Sequence, residues 1–376
     1  MAENKTLLIT GVTGTLGKEM IKELILTTEY KLYVLVRRKG RHTHWDRMRK
    51  IFSAYDLERY LGTRIQVLEG DVTSPQLGLS EESLAVLRSE VSEFYHVAAL
   101  TALNGSREDC ERINIGGVQN ALEVAWDLFK NGKMKRFFYF STAYVAGSRQ
   151  TYRSFEDRLT ENPAHANFYE SSKYQAEGKV REALAKGLPV TIFRPSIVVG
   201  DSRTGEVSEF NVIYPFMKLF AHGILTVLPT RPDNSFNIVP IDFVIKASMA
   251  IARQESSLGK TFHLTTQNPP TIGMLLKVKT QEYPQLARLE VISPDDFKPE
   301  NLDVVSKGVY QMLEPYLGYL NDDLTFDMSN TEKALQGTGI AMPKTDYEFL
   351  KILIRYAVDA GYLILDVKPP VYQSAE

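Results

Sequence analysis

The chain has 376 residues, enough to bury a large core, and its 44% hydrophobic and 24% charged residues lie near the globular average, which argues against disordered and fibrous classes. A formal charge of −2 with no long basic run argues against nucleic acid as a partner, because that affinity comes from clustered Lys and Arg. The length exceeds one average domain, so one large α/β unit carrying a smaller second lobe is expected.

The only cysteine, Cys110, leaves no partner for an intrachain disulfide and suits a reducing cytosol. Strand-like sequence starts at Thr6, with no room ahead of it for a secretion signal, and no uninterrupted apolar run reaches membrane-spanning length. A cytoplasmic protein without a transmembrane segment is expected. His42 and His44, with Asp46 nearby, lack a ligand cluster and read as a solvated loop, so no metal is expected.

Along the first half, short β-branched or aromatic runs alternate with helical patterns. Thr6–Thr10, Leu32–Val36, Ile65–Glu69, Phe94–Val97, Arg136–Phe140 and Val190–Phe193 read as strands, and Lys18–Leu26 carries Met20, Ile21, Leu24 and Ile25 on one helical stripe. Such alternation predicts an α/β fold of the Rossmann type, a doubly wound parallel sheet with helices on both faces. Past Phe193, Pro195, Gly200 and Gly205 punctuate a turn-rich segment where a smaller C-terminal substrate lobe begins. The expected division assigns residues 1–200 to dinucleotide binding, with 235–265 returning to that unit, and 201–234 and 266–376 to the substrate lobe. In the mostly apolar stretch Phe210–Ile224, core packing is favoured over a substrate-pocket wall. Thr345 and Glu348 have capping-box spacing ahead of a stripe of Leu350, Leu353, Ile354, Ala357 and Val358 that ends near Gly361.

Directly after the first strand, Thr10-Gly11-Val12-Thr13-Gly14-Thr15-Leu16-Gly17 spaces its glycines G-x-x-G-x-x-G and opens a helix. Glycines there permit a tight turn, close backbone approach to a pyrophosphate and close helix packing, and the helix N-terminus supplies N–H donors and a positive dipole end. The second strand ends in Arg37 and Arg38, where a chain preferring NAD would carry an acidic residue for the ribose; arginine instead pairs with the 2′-phosphate of NADPH. Asp71 and Val72, just past the third strand, are placed to meet the adenine or to form a solvated turn.

Tyr169 and Lys173 are four residues apart in Tyr169-Glu170-Ser171-Ser172-Lys173, about 6 Å along one face of a helix. A cation there would favour the ionised form of a phenol whose ordinary pKa is ~10, making it a general acid in reduction and a base in oxidation. A hydroxyl to polarise a carbonyl is available from Thr142 or Ser141, on the ligand-binding edge after the fifth strand.

At these residues the chain resembles the extended short-chain dehydrogenase/reductases, whose pattern joins a TGxxGxxG turn, a Ser/Thr and Tyr-x-x-x-Lys. Counting back from Gly147, the family's hydroxyl falls on Thr142, so the resemblance makes Thr142, Tyr169 and Lys173 the catalytic set. It also implies that Ala98, Ala99 and Leu100 face the nicotinamide half together with Pro195, Ser196, Ile197 and Val198, that Asn114 braces the active-site helix, and that Lys173 holds the nicotinamide ribose as well. The stretches Gly70–Leu79 and Arg194–Glu206 look most like the branch of fatty acyl-CoA reductases and carrier-protein thioester reductases, and the similarity extends from Thr6 to about Thr271.

The resemblance thus implies an NADPH-dependent reductase acting on a small-molecule or carrier-protein-tethered acyl thioester, giving an aldehyde or alcohol. A ketone or alcohol dehydrogenase, or a nucleotide-sugar epimerase or dehydratase, could use the same scaffold. Arg37 and Arg38 count against the epimerase. A module that senses NADPH without turnover is least compatible with retention of Thr142, Tyr169 and Lys173.

Overall fold

The structure is a computed structural model that describes residues 5–147, 152–211, 213–284, 289–302, 304–321 and 324–364. The first half runs β1 (Thr6–Thr10), α1 (Thr15–Thr27), β2 (Lys31–Val36), α2 (His44–Ala54), β3 (Ile65–Glu69), α3 (Glu81–Glu90), β4 (Glu93–His96), α4 (Arg107–Cys110), α5 (Gly117–Asn131) and β5 (Arg136–Phe140). It continues with β6 (Tyr152–Ser154), α6 (Phe168–Ala185), β7 (Val190–Pro195), β8 (Ile197–Val199), α7 (Ile213–Ala221), β9 (Val227–Pro229), β10 (Ile238–Pro240) and α8 (Ile241–Ala252). The remainder is β11 (Thr261–Leu264), α9 (Ile272–Glu282), β12 (Glu290–Ile292), α10 (Val304–Leu317), β13 (Leu324–Phe326), α11 (Ser329–Leu335) and α12 (Tyr347–Asp359).

Seven strands form one parallel sheet in the order β11-β7-β5-β4-β1-β2-β3, the Rossmann-type doubly wound arrangement. The two faces are covered by separate cores, which the period-two alternation of a strand explains. On β1, Leu7 and Ile9 join Met20 and Leu24 of α1, Phe52 of α2 and Val244 of α8. Leu8, between them, joins Leu84 of α3, Val118 of α5 and Val180 of α6 on the other face. At about 25 cal/mol per Å2 of apolar area, such burial on both faces is the main favourable term in folding. The strand reversal falls between β1 and β4, so the C-terminal ends of β1, β4 and β5 open onto one crevice.

A third core lies beyond the edge of the sheet, built from Tyr214, Ile272, Leu313, Leu350 and Leu353 of α7, α9, α10 and α12 with Ile197 and Val199 of β8. Three two-stranded parallel pairs frame it or join it to the sheet: β8 with β10, β9 with β12, and β6 with β13. The chain then returns to the sheet. Thr331 at α11 donates to the His263 carbonyl of β11 at 2.9 Å, and the buried Glu156 carboxylate accepts from the His263 N–H at 2.8 Å. Leu335 of α11 packs into the core under α8.

Two local expectations change. His44 opens α2 instead of lying in a loop, because Thr43 and Asp46 form a reciprocal capping box. At α12 the cap is Asp346, whose Oδ1 accepts from the Phe349 N–H at 3.2 Å. Thr345 donates instead to the Asn268 carbonyl at 2.9 Å, so the helix starts one position later than the Thr345/Glu348 spacing predicts. Residues 365–376, expected from the sequence in the second lobe, lie outside the described residues.

Candidate active site

A cleft of about 680 Å3 runs along the C-terminal edge of the sheet, within the range of small-molecule sites. At one end the β1–α1 turn bends sharply. Gly11 has φ +78°, and a Cβ on it would stand 2.5 Å from the Ala98 nitrogen; a Cβ on Gly17 would stand 2.2 Å from the Gly11 carbonyl oxygen. Both contacts are backbone, so neither neighbour can yield. Gly14 is the N-cap of α1 and offers no side chain to the first-turn N–H groups, and no acidic residue lies in that turn. Uncapped donors at the positive end of a 13-residue helix fit a pyrophosphate.

Arg37 lines the cleft at the end of β2, half-exposed and 3.9 Å from the Asp71 carboxylate. Asp71 also accepts from the Thr73 N–H and hydroxyl, both at 2.9 Å, closing the turn after β3. Arg38 is not among the residues lining the cleft and lies 3.8 Å from Glu69. Sequence reasoning missed a third cation, Arg47 of α2. It donates to the Arg37 carbonyl at 2.7 Å and to the Thr13 hydroxyl at 3.0 Å, and it lines the cleft beside the glycine turn. Burial, then repulsion from Arg37, lowers its pKa. The available signal was the Thr43/Asp46 capping box, which fixes where α2 begins and so which face carries Arg47.

At the other end, Thr142 follows β5, and Tyr169 and Lys173 come from the first turns of α6. Asn167 caps that helix, its Oδ1 accepting from the Glu170 N–H at 2.9 Å. The Thr142 hydroxyl, which accepts from the Tyr144 N–H at 3.3 Å and donates to the Pro195 carbonyl at 3.4 Å, lines the cleft wall together with the Tyr169 phenol, close enough to favour the ionised phenol. Burial pushes the phenol up to about 12, and the Thr142 contact only partly offsets that rise. Lys173, unlike the partly buried Tyr169, is almost wholly buried, which pulls its ammonium down to about 7 against the opposing Glu177 carboxylate. Its Nζ donates to the Phe140 carbonyl at 2.7 Å and lies 4.5 Å from the Tyr139 ring centre. Burial is therefore the main influence on the Tyr169 phenol, which keeps its proton at neutral pH.

Ser141, the alternative hydroxyl, is engaged elsewhere. It donates to Glu177 at 2.6 Å, and Arg194 grips that same carboxylate at 2.7 and 3.0 Å. Burial raises the Glu177 pKa, but Arg194, Arg181 and Ser141 together bring it down to about 2. Asn114 sits behind the cleft wall in a π-helical turn between α4 and α5. Its side chain accepts from the Leu100 N–H at 2.8 Å and donates to the Leu100 carbonyl and the Ser172 hydroxyl, joining the β4 loop to the active-site helix. Thr10 is likewise buried, its hydroxyl 2.9 Å from His96 Nδ1.

The cleft thus brings together Gly11, Thr13, Gly14, Thr15, Leu16 and Gly17 with Arg37, Asp71 and Val72 at one end. Ala98, Ala99, Leu100, Thr142, Tyr169, Lys173, Pro195, Ser196, Ile197 and Val198 surround the other. Ser196 presents a buried hydroxyl with no partner among the described residues. The cradle, the uncapped helix and this hydroxyl fit a dinucleotide lying between the two ends.

Fold and site together define an extended short-chain dehydrogenase/reductase, an oxidoreductase using a nicotinamide cofactor. Residues 9–248 match the family described as male sterility protein, and the chain belongs to that family, in the branch holding fatty acyl-CoA reductases and carrier-protein thioester reductases. It is 26% identical over 370 residues to a linear gramicidin synthase protein of Brevibacillus parabrevis, covering 95% of this chain and 7% of that protein. It is 27% identical over 285 residues to fatty acyl-CoA reductase 1 of Mus musculus, covering 66% of this chain and 55% of the reductase. The chain therefore spans a small part of the first relative and about half of the second. The crystal structure of the terminal R domain from the myxalamid PKS-NRPS pathway superposes with a TM-score of 0.82 at 28% identity, covering 96% of this chain and 93% of that one. Among the described residues, no helix is long and apolar enough to cross a membrane.

Proposed function

We propose that the protein reduces the carbonyl of an acyl thioester, bound to coenzyme A or tethered to a carrier protein, with NADPH as the hydride source. The observation that carries this reading is that Thr142 and the protonated Tyr169 phenol line the same stretch of cleft wall. Two neutral donors there would hold the carbonyl oxygen and stabilise the negative charge that grows on it. Tyr169 then passes its proton to that oxygen, and loss of the thiol from the resulting hemithioacetal gives an aldehyde. A second round at the same residues gives an alcohol. Lys173, lining the cleft one helical turn on, holds the ribose in this reading.

The glycine turn and α1 hold the pyrophosphate in this reading, and Arg37 with Arg47 hold the 2′-phosphate. Residues 1–200 with 235–265 form the cofactor unit, while 201–234 and most of 266–376 receive the acyl group. The single cysteine, buried at Cys110, suits a cytosolic setting. The test is NADPH oxidation by the purified chain against acyl-CoA, acyl-carrier, aldehyde, ketone and nucleotide-sugar substrates. Turnover of thioesters supports the reading, and turnover confined to ketones or sugars replaces it.

A further inference from the structure

Behind the reacting end of the cleft lies a second, partly open cavity of about 80 Å3, lined by α7, α9, α10 and α12. Its wall includes Phe216, Leu228, Phe236, Leu276, Leu353 and Leu363, and among the described residues its one basic side chain is Lys279 of α9, whose Nζ lies near the Phe220 ring. An almost wholly apolar wall of this kind gains free energy when an apolar group covers it, because its lining otherwise lacks apolar partner atoms. The two spaces adjoin. Ile197, Tyr316 and Tyr319 wall both the cavity and the cleft that holds Thr142 and Tyr169.

Tyr319 is tied to the reacting groups from both sides. Its hydroxyl accepts from Asn167 Nδ2 at 3.2 Å, and Asn167 is the cap of the helix carrying Tyr169 and Lys173. Its ring stands edge-on to Tyr144, two residues after Thr142, with centroids 4.6 Å apart. A group passing from the cleft into the cavity would therefore press on the wall that positions Thr142 and Tyr169.

We infer that this cavity receives the apolar tail of the acyl group, and that Tyr319 is the specificity-determining wall between that tail and the reacting carbonyl. The inference rests on the thioester reading of the cleft and narrows it to unbranched hydrocarbon tails of limited length. At roughly 10–15 Å3 of such space per water-sized group, the cavity holds roughly five to eight methylenes. Lys279 apart, the wall is almost wholly apolar, so polar tails lose hydration there and find few partners in return.

The test uses the full chain with NADP+ and does not depend on turnover. Affinities of n-alkanols from four to sixteen carbons, homologues of the product, are measured by calorimetry, and n-alkanoyl-CoA thioesters of the same lengths are assayed for kcat/KM. Affinity should rise roughly fourfold per methylene and level off at about eight carbons. Leu276→Trp, which adds bulk at a half-buried wall position, should lower that limit by several carbons. Phe216→Ala should raise it, and it serves where Leu276→Trp fails to fold. Alkanol affinity indifferent to length, or a limit that neither folded variant moves, overturns the inference even if short thioesters are reduced. A length limit that shifts in the variants while no thioester is reduced upholds the cavity as an alkyl site and overturns the reductase reading alone.

Discussion

Ser141 donates its hydroxyl hydrogen to Glu177 at 2.6 Å, inside a buried cluster completed by Arg194 and Arg181, while the adjacent Thr142 lines the cleft beside Tyr169. The two neighbouring hydroxyls thus serve different ends. Ser141→Ala should leave a buried carboxylate one donor short and cost about 1–3 kcal/mol of stability, with turnover within severalfold of normal. Thr142→Ala, which loses the contacts to the Tyr144 N–H and the Pro195 carbonyl, should cost about 1 kcal/mol of stability and lose about a hundredfold to a thousandfold in kcat. Thermal melts and steady-state rates on both variants check this, and equal rate losses would mean that Ser141 also serves the substrate.

NADPH should bind more tightly than NADH through Arg37 and Arg47. Hydrogen bonds to charged groups contribute about 1.5–3 kcal/mol each, so Arg37→Ala with Arg47→Ala should remove a preference on the order of a hundredfold or more. Arg38→Ala should change the ratio little, since Arg38 lies off the cleft beside Glu69. Titration of each variant with both cofactors measures the ratio. Equal binding of the two by the unmodified protein would remove the argument from the end of β2.

The glycines of the β1–α1 turn should separate by role. A Cβ at position 17 meets backbone at 2.2 Å, so Gly17→Ala should lower stability sharply and with it everything else. At position 14 the nearest atom is the Gly11 carbonyl oxygen at 3.4 Å, so Gly14→Ala should fold. Its methyl group would crowd the pyrophosphate, and cofactor affinity should fall at least tenfold. Folded Gly14→Ala protein with full affinity would mean that the phosphates lie elsewhere.

The Lys173 pKa, lowered to about 7 from an ordinary value near 10.5, has a thermodynamic consequence. Between those values the unfolded chain carries a proton on Lys173 that the folded chain has released, so this residue makes stability rise with pH across that window. Lys173→Met should flatten the rise from pH 7 to 9 in denaturant titrations. An unchanged slope would place the charged ammonium in the folded state.

Much of this was legible in the sequence because the responsible patterns are local. The alternation around Leu7–Ile9, the glycine spacing at Gly11–Gly17 and the one-turn offset of Tyr169 and Lys173 each depend on a few consecutive residues. What escaped depends on how distant segments pack. The protonated state of Tyr169 follows from burial, which its spacing from Lys173 does not reveal. Arg47 reaches the cleft only because α2 crosses the end of β2, and while the family resemblance pointed to Asn114, no periodicity announces the π turn that carries it. In Phe210–Ile224 the packing reading holds for Tyr214, Met217 and Ala221, buried in the third core, while Phe216 and Phe220 line the apolar cavity inferred above to take the acyl tail.

The central claim is that Tyr169 donates the proton to a substrate oxygen held with Thr142. It is tested most directly by Tyr169→Phe, with Lys173→Ala alongside, assayed for acyl-CoA reduction and for NADPH affinity. Removing the phenol touches the chemical step alone, so kcat should fall by at least about a hundredfold to ten-thousandfold while NADPH affinity stays within severalfold of normal. Lys173→Ala should lower both quantities. A Tyr169→Phe protein that still reduces the thioester at near-normal rate would contradict the account and place the active site elsewhere in the cleft.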